Sequence, residues 1–207
     1  MHKDTLPPDT YAALAESIMD IIYTQGPKAA TMDYVAAKLQ MSKRTLYEIF
    51  GSKEDMIIDV VAYDMHKHHA LYREIFNSSP DVLVALTRIF RKQRDLMART
   101  SPRFFRDMDN IYHKVRDTYD HLHKEHEEAM LTVFNKGVEQ GMFRPGVNYR
   151  VLNRLMKVQM ESLKRMEEVF PPDITLVEAY DTISMGLLHS IATPEGMAKL
   201  NLLVPDM

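Results

Sequence analysis

A chain of 207 residues with 45% apolar content, 7 Gly, 10 Pro and no Cys has the composition of an ordinary globular protein, and it excludes disulfides and thiolate metal sites. Lys and Arg number 26 against 29 Asp and Glu, a net charge of −3, so affinity for a polyanion has to come from local clustering rather than from the total. No apolar run approaches the roughly 18 residues that cross a bilayer, and the start, Met1-His2-Lys3-Asp4-Thr5-Leu6-Pro7-Pro8, lacks a signal-peptide core; the expectation is a cytoplasmic protein with no membrane partner.

Apolar residues at helical spacing (Tyr11, Leu14, Ala15, Ile18, Ile21, Ile22) predict a first helix over 8–25, opened by Pro8 and ended by Gly26-Pro27. A short helix over 32–39 follows, with Thr31 as N-cap and Val35, Ala36 and Leu39 inward. Ser42 caps the next, which turns Leu46, Ile49 and Phe50 inward and stops at Gly51, while Ser52 and Asp55 have capping-box spacing for a further helix. Beyond this point the periodicity predicts only helices: about 53–76, about 80–98, a short one from Pro102, then about 110–140, 148–169 and 173–192. No alternating strand pattern, internal repeat or low-complexity tract competes, so the fold class is all-α.

Residues 31–53 carry the most specific chemistry. A helix that enters a DNA major groove, about 12 Å wide, needs exposed donors at its start and apolar anchors behind them. Ser42, Lys43, Arg44, Thr45 and Tyr47 meet the first need, and Leu46 and Phe50 the second, while Ala36 and Ala37 are small enough for a close helix crossing. Lys43 and Arg44 are the base-edge candidates; Thr31, Tyr47 and Lys53 are the phosphate candidates. The stretch from Lys38 to Lys53 carries a net charge of +3, against the acidic balance of the whole.

The segment from Gly26 to about Val61, above all Thr31-x-x-x-Val35-Ala36 and Leu46-Tyr47-x-x-Phe50-x-x-Lys53-Glu54, resembles the N-terminal helix-turn-helix of the TetR family of transcriptional regulators. Beyond it the likeness is one of helix number and spacing, with a Gly141-Met142-Phe143-Arg144 turn similar to one between later helices of that family. The resemblance implies that Thr31, Lys43, Arg44, Tyr47 and Lys53 face DNA. Two departures stand out: Gln40 lies where relatives usually carry Gly, and Arg44 replaces a common Gly, which adds a contact to base or phosphate.

The expected organisation is a three-helix DNA-binding domain, 1–51, followed by a larger helical ligand-binding and dimerisation domain, 52–207. One helix-turn-helix reads only part of a site, so two copies are expected about 34–36 Å apart. The resemblance places the dimer surface on the last two long helices, with Leu152, Leu155, Gln159, Leu163 and Met166 from one and Tyr180, Ile183, Leu187 and Ile191 from the other, rows long enough for internal packing and a two-fold contact together. Between reader and dimer surface, where relatives hold a small-molecule pocket, Met65, Tyr72, Phe90, Met97, Phe105, Met108, Tyr112, Phe134 and Met156 are the candidate lining, Met being pliable enough for apolar ligands of varied shape. The expected partners are operator DNA, a small-molecule effector and a second copy, with no cofactor.

Three other signals carry less. The Arg-rich stretch 88–106, net +6, reads as a solvated helix face. The groups His66-x-His68-His69 and His121-x-His123-x-x-His126 have spacings compatible with Zn²⁺ or Ni²⁺, yet surface placement is the commoner outcome. No phosphate loop, nucleophile elbow or His-Glu-x-x-His motif argues for an enzyme. The alternative class is a helical ligand- or partner-binding protein that has lost specific DNA recognition.

Overall fold

The computed structural model describes residues 6–204, including all side chains in that range except those of 109–127. Its helices are α1 (Pro8–Gln25), α2 (Met32–Lys38), α3 (Lys43–Phe50), α4 (Lys53–Ser78), α5 (Val82–Arg99), α6 (Pro102–Glu139), α7 (Tyr149–Ser162), α8 (Met166–Val169), α9 (Leu176–Ile191) and α10 (Pro194–Leu203). A single 3₁₀ turn, Leu163–Arg165, joins α7 to α8. Among the described residues there is no strand beyond an isolated Phe143–Ala192 bridge, and no helix is long and apolar enough to cross a membrane.

The chain forms two compact units: residues 1–70 with 99–120, and residues 71–98 with 121–207. In the first, Ala15, Ile18 and Ile22 of α1, Val35 of α2, Leu46 and Ile49 of α3, and Met56 and Val60 of α4 are buried. Those positions recur every three or four residues, so each short helix contributes one apolar stripe and leaves the opposite face polar. Ala36 is buried and Ala37 faces solvent, so the first of the two alanines serves the close packing of α2 on α3. The start of α6 belongs to this unit: Ser101 N–H donates to the Tyr23 carbonyl at 2.8 Å, and Arg99 pairs with Asp20 at 3.1 Å.

In the second unit Leu83, Leu86, Phe134, Phe143, Leu188, Ile191 and Leu200 form a dry core. A Cβ added to Gly137 would lie 2.0 Å from the Phe143 ring, so only glycine lets that ring lie against α6. The turn after α6 is then fixed by Arg144 N–H to the Ile191 carbonyl at 2.8 Å and Thr193 N–H to the Met142 carbonyl at 3.0 Å. A smaller cluster surrounds Leu163, Ala179 and Tyr180.

Three element boundaries differ from those expected. The short helix at Pro102 and the long one at about 110 are one continuous helix, α6; no Gly or Pro lies between Pro102 and Gly137 to interrupt it. The helix expected over 148–169 ends at Ser162, where the Ser162 hydroxyl donates to the Gln159 carbonyl at 2.6 Å and the backbone tightens into the 3₁₀ turn. α10 was not expected at all, although Thr193 caps it and Pro194 occupies its first turn, a pairing that marks helix starts.

Candidate nucleic-acid interface

Each end of the helix-turn-helix is fixed by a local hydrogen bond. Thr31 Oγ1 accepts from Tyr34 N–H at 3.2 Å and starts α2. At the other end Met41 N–H reaches the Ala36 carbonyl at 2.9 Å and Gln40 N–H reaches the Ala37 carbonyl at 3.4 Å, the two bonds of a Schellman turn. That turn needs a left-handed residue, and Gln40 supplies it with φ 54°, alone among the described non-glycine residues. The strain costs about 1 kcal/mol and leaves the motif intact.

Ser42 Oγ accepts from Thr45 N–H at 3.0 Å and shares a 2.7 Å hydrogen bond with the Thr45 hydroxyl. α3 then runs for two turns before Gly51, at φ 77°, ends it with its N–H on the Tyr47 carbonyl at 2.8 Å. Leu46, Ile49 and Phe50 are buried at 0%, 1% and 5% exposure, which holds the helix like a peg and turns Lys43, Arg44, Tyr47 and Glu48 outward.

Of the expected DNA contacts, Thr31, Ser42, Lys43, Arg44 and Tyr47 are exposed, whereas Thr45 and Lys53 are half-buried. The hydroxyls of Thr31, Ser42 and Thr45 are occupied in capping, so they shape the backbone that a phosphate would approach. Lys53 donates to the Lys28 carbonyl at 2.7 Å, and burial lowers its ammonium pKa.

The outward cations have intramolecular partners. Lys43 Nζ lies 2.7 Å and 2.9 Å from the two carboxylate oxygens of Asp33, and that hydrogen bond raises the Lys43 pKa. Arg44 Nε is 2.9 Å from Glu48 Oε1, which holds the Glu48 carboxyl below its ordinary value. Sequence reasoning missed both carboxylates. The Arg44–Glu48 spacing of four was legible on a helix. The Asp33–Lys43 pair was not, because it closes only when the turn at Gln40 folds.

The model of the family "Bacterial regulatory proteins, tetR family" matches residues 15–60, the span from α1 to the first turns of α4. The helix-turn-helix segment, residues 15–60, is that of the TetR family. The chain is 23% identical over 137 residues to the HTH-type transcriptional repressor KstR2 of Mycobacterium tuberculosis, covering 64% of this chain and 68% of that protein. The structure of KstR2, the ketosteroid transcriptional regulator, matches with TM-score 0.60 at 20% identity, covering 91% of this chain and 97% of the other. A TetR-family regulator from Marinobacter aquaeolei VT8 matches with TM-score 0.73 at 18% identity over 93% and 95% of the two chains. A transcriptional regulator from Saccharomonospora viridis, solved with choline, matches with TM-score 0.67 at 16% identity over 90% and 100%.

The residues nominated for an effector pocket divide between the units. Met65 and Phe105, half-buried, and Met108, buried, belong to the first. In the second, Phe134 stacks on Tyr149 at 5.1 Å, Phe90 meets Tyr180 edge-on at 6.4 Å, Met97 packs beside Leu163, Met156 lies against the main core, and Tyr72 hydrogen-bonds Gln93. The Tyr112 side chain lies outside the described residues, as do those of His121, His123 and His126. His66 is exposed, and His68 Nε2 is 3.6 Å from Asp64. Within the Arg-rich stretch, Arg94 pairs with Asp181 at 2.8 Å, Arg91 bonds the Leu203 carbonyl, and Arg99 lies over the Tyr23 ring.

On the nominated dimer helices, Leu155 and Gln159 are exposed, Leu152, Met166 and Ile183 are half-buried, and Leu163, Tyr180, Leu187 and Ile191 face the interior. Burial pushes the Tyr180 hydroxyl pKa up. Val151 and Val158, absent from the expected set, join Leu155 as an outward stripe at 53%, 53% and 55% exposure. The exposed positions of α9 are Glu178, Thr182, Gly186, His189 and Ser190.

Proposed function

We propose that this chain is a DNA-binding transcriptional repressor that acts as a homodimer in the cytoplasm and leaves its operator when a small molecule binds. Residues 1–51 read DNA, and residues 52–207 hold the effector and the second copy. The observation that carries the reading is α3: three buried apolar anchors on one side, with Lys43, Arg44 and Tyr47 exposed on the other. Arg44 offers a planar fork for guanine, and Thr31 and Lys53 border the surface that phosphates approach.

The dimer reading is supported by Val151, Leu155 and Val158, which recur on one face of α7, together with the small exposed residues Thr182, Gly186 and Ser190 at fourfold spacing on the adjoining α9. An apolar row next to a shallow one is self-complementary under a two-fold axis. The effector reading is supported by the supply of Met and aromatic residues, which favours a small, largely apolar molecule. The effector acts only through a difference in affinity between the DNA-competent spacing of the two α3 helices and another spacing.

Footprinting the purified protein on DNA upstream of its own gene, with and without a small-molecule extract of the cells, tests this. The expected result is a protected palindrome of two half-sites that opens when extract is added. A protein that binds small molecules yet protects no sequence would support the alternative, a helical binding protein without DNA recognition.

A further inference from the structure

Lys43 is the first residue of α3, and its ammonium is gripped by both oxygens of Asp33, a residue in the first turn of α2. Both side chains are solvent-exposed, at 51% and 73%. An exposed pair of this kind contributes little to folding, at most about 1 kcal/mol. Its consequence lies elsewhere: with both carboxylate oxygens within hydrogen-bond distance of the ammonium, Asp33 takes up to two of its three N–H donors. A free lysine at this place swings to whichever phosphate is nearest, and so adds affinity for any sequence. A lysine held at a fixed angle offers one N–H in one direction, as a base-edge acceptor requires. The carboxylate, meanwhile, repels passing phosphates.

We propose that Asp33 is a specificity-determining positioning residue, which holds Lys43 toward a base edge and withholds it from phosphates. This inference rests on the reading of α3 as the DNA-facing helix. It assigns a DNA-related role to an acidic residue on the helix that precedes the reader.

The test compares two duplexes of equal length by fluorescence anisotropy across a salt series. One is the sequence that the wild-type protein enriches from a random pool, and the other is a scrambled sequence. Asp33→Asn is expected to bind the scrambled duplex roughly two- to fivefold more tightly, the range an exposed ion pair spans. Its dependence of log affinity on log salt steepens by about 0.9, the signature of one added phosphate contact. The enriched duplex gains less, so the ratio between the two falls. In a Lys43→Ala background, Asp33→Asn leaves that ratio unchanged, because the lysine to be positioned is gone. Asp33→Ser repeats the comparison with a side chain equally suited to a helix start, should the Asn variant melt early. An unchanged ratio and salt slope in both variants overturns the role of Asp33 alone, as does an equal fall in the ratio without Lys43. A wild-type chain that enriches no sequence overturns the regulator reading and this inference together.

Discussion

The outward face of α3 and the outward face of α7 are both solvent-exposed sides of short amphipathic helices, yet their chemistry is opposite. On α3, two cations stand beside carboxylates of the same chain. Exposed ion pairs are worth about 0–1 kcal/mol, so Arg44 exchanges Glu48 for a phosphate at little cost, while Asp33 tips Lys43 away from phosphates by no more than the same small margin. On α7, Val151, Leu155 and Val158 lie half in water, and each forgoes part of the ~1.5–3 kcal/mol that full burial of such a side chain brings. The difference teaches what each face suits: reversible exchange with a polyanion on α3, and lasting dehydration by a second protein surface on α7.

That contrast can be broken at its apolar end first. Leu155→Asp places a charge in the proposed two-fold contact twice, with a loss of about 2–3 kcal/mol of association from the exposed halves of the two leucines alone. Sedimentation at micromolar concentration should show monomer with an unchanged helical spectrum, and operator affinity should fall with it. A variant that remains dimeric moves the second copy to another surface.

Leu46→Ala removes a side chain with 0% exposure behind the proposed DNA face. The expected loss is about 2–5 kcal/mol, read by denaturant unfolding, with DNA binding lost as α3 detaches. Arg44→Ala, by contrast, removes an exposed guanidinium and should leave stability within about 0.5 kcal/mol. Its effect belongs to DNA: a loss of about 1–3 kcal/mol at one base pair of the enriched site and relaxed preference there, measured on a panel of single-base variants. The two substitutions, two residues apart, sharpen the division of α3 into anchor and reader.

The smallest effect concerns the turn. Gln40→Gly relieves left-handed strain of about 1 kcal/mol and returns part of it as freedom of the unfolded chain. The net expectation is a gain of at most about 0.6 kcal/mol and a rise in Tm of at most about 2 °C, with duplex binding unchanged. A fall in Tm would mean that the Gln40 side chain contributes more than its backbone costs.

The legibility of this fold in its sequence follows the placement of capping chemistry. Thr31, Ser42, Gly51 and Ser52 announce α2, α3 and α4, because a hydroxyl or a glycine at a helix end acts over three residues and needs no distant partner. α6 was divided because its apolar periodicity drifts while no breaker interrupts it. The end of α7 was unreadable because it depends on one Ser162 hydroxyl bond and on tertiary packing around Leu163. α10 had a local signal at Thr193-Pro194, and it passed unread. On the proposed DNA face, the outward residues of α3 followed from the helical period, whereas Asp33 required the folded turn to come within reach of Lys43. For the apolar stripe on α7, Leu155 was legible, and Val151 and Val158 were distinguishable from core residues only once the packing of α7 on α9 was fixed.

The salt dependence of duplex binding by the wild-type protein tests most directly whether the cationic face of α3 meets DNA. The account predicts a steep linear loss of log affinity with log salt, with a slope that shrinks by about 0.9 for each phosphate contact deleted, as in Lys53→Ala. Duplex binding that is indifferent to salt, or a slope untouched by changes at Lys53, Lys43 and Arg44 together, would contradict it.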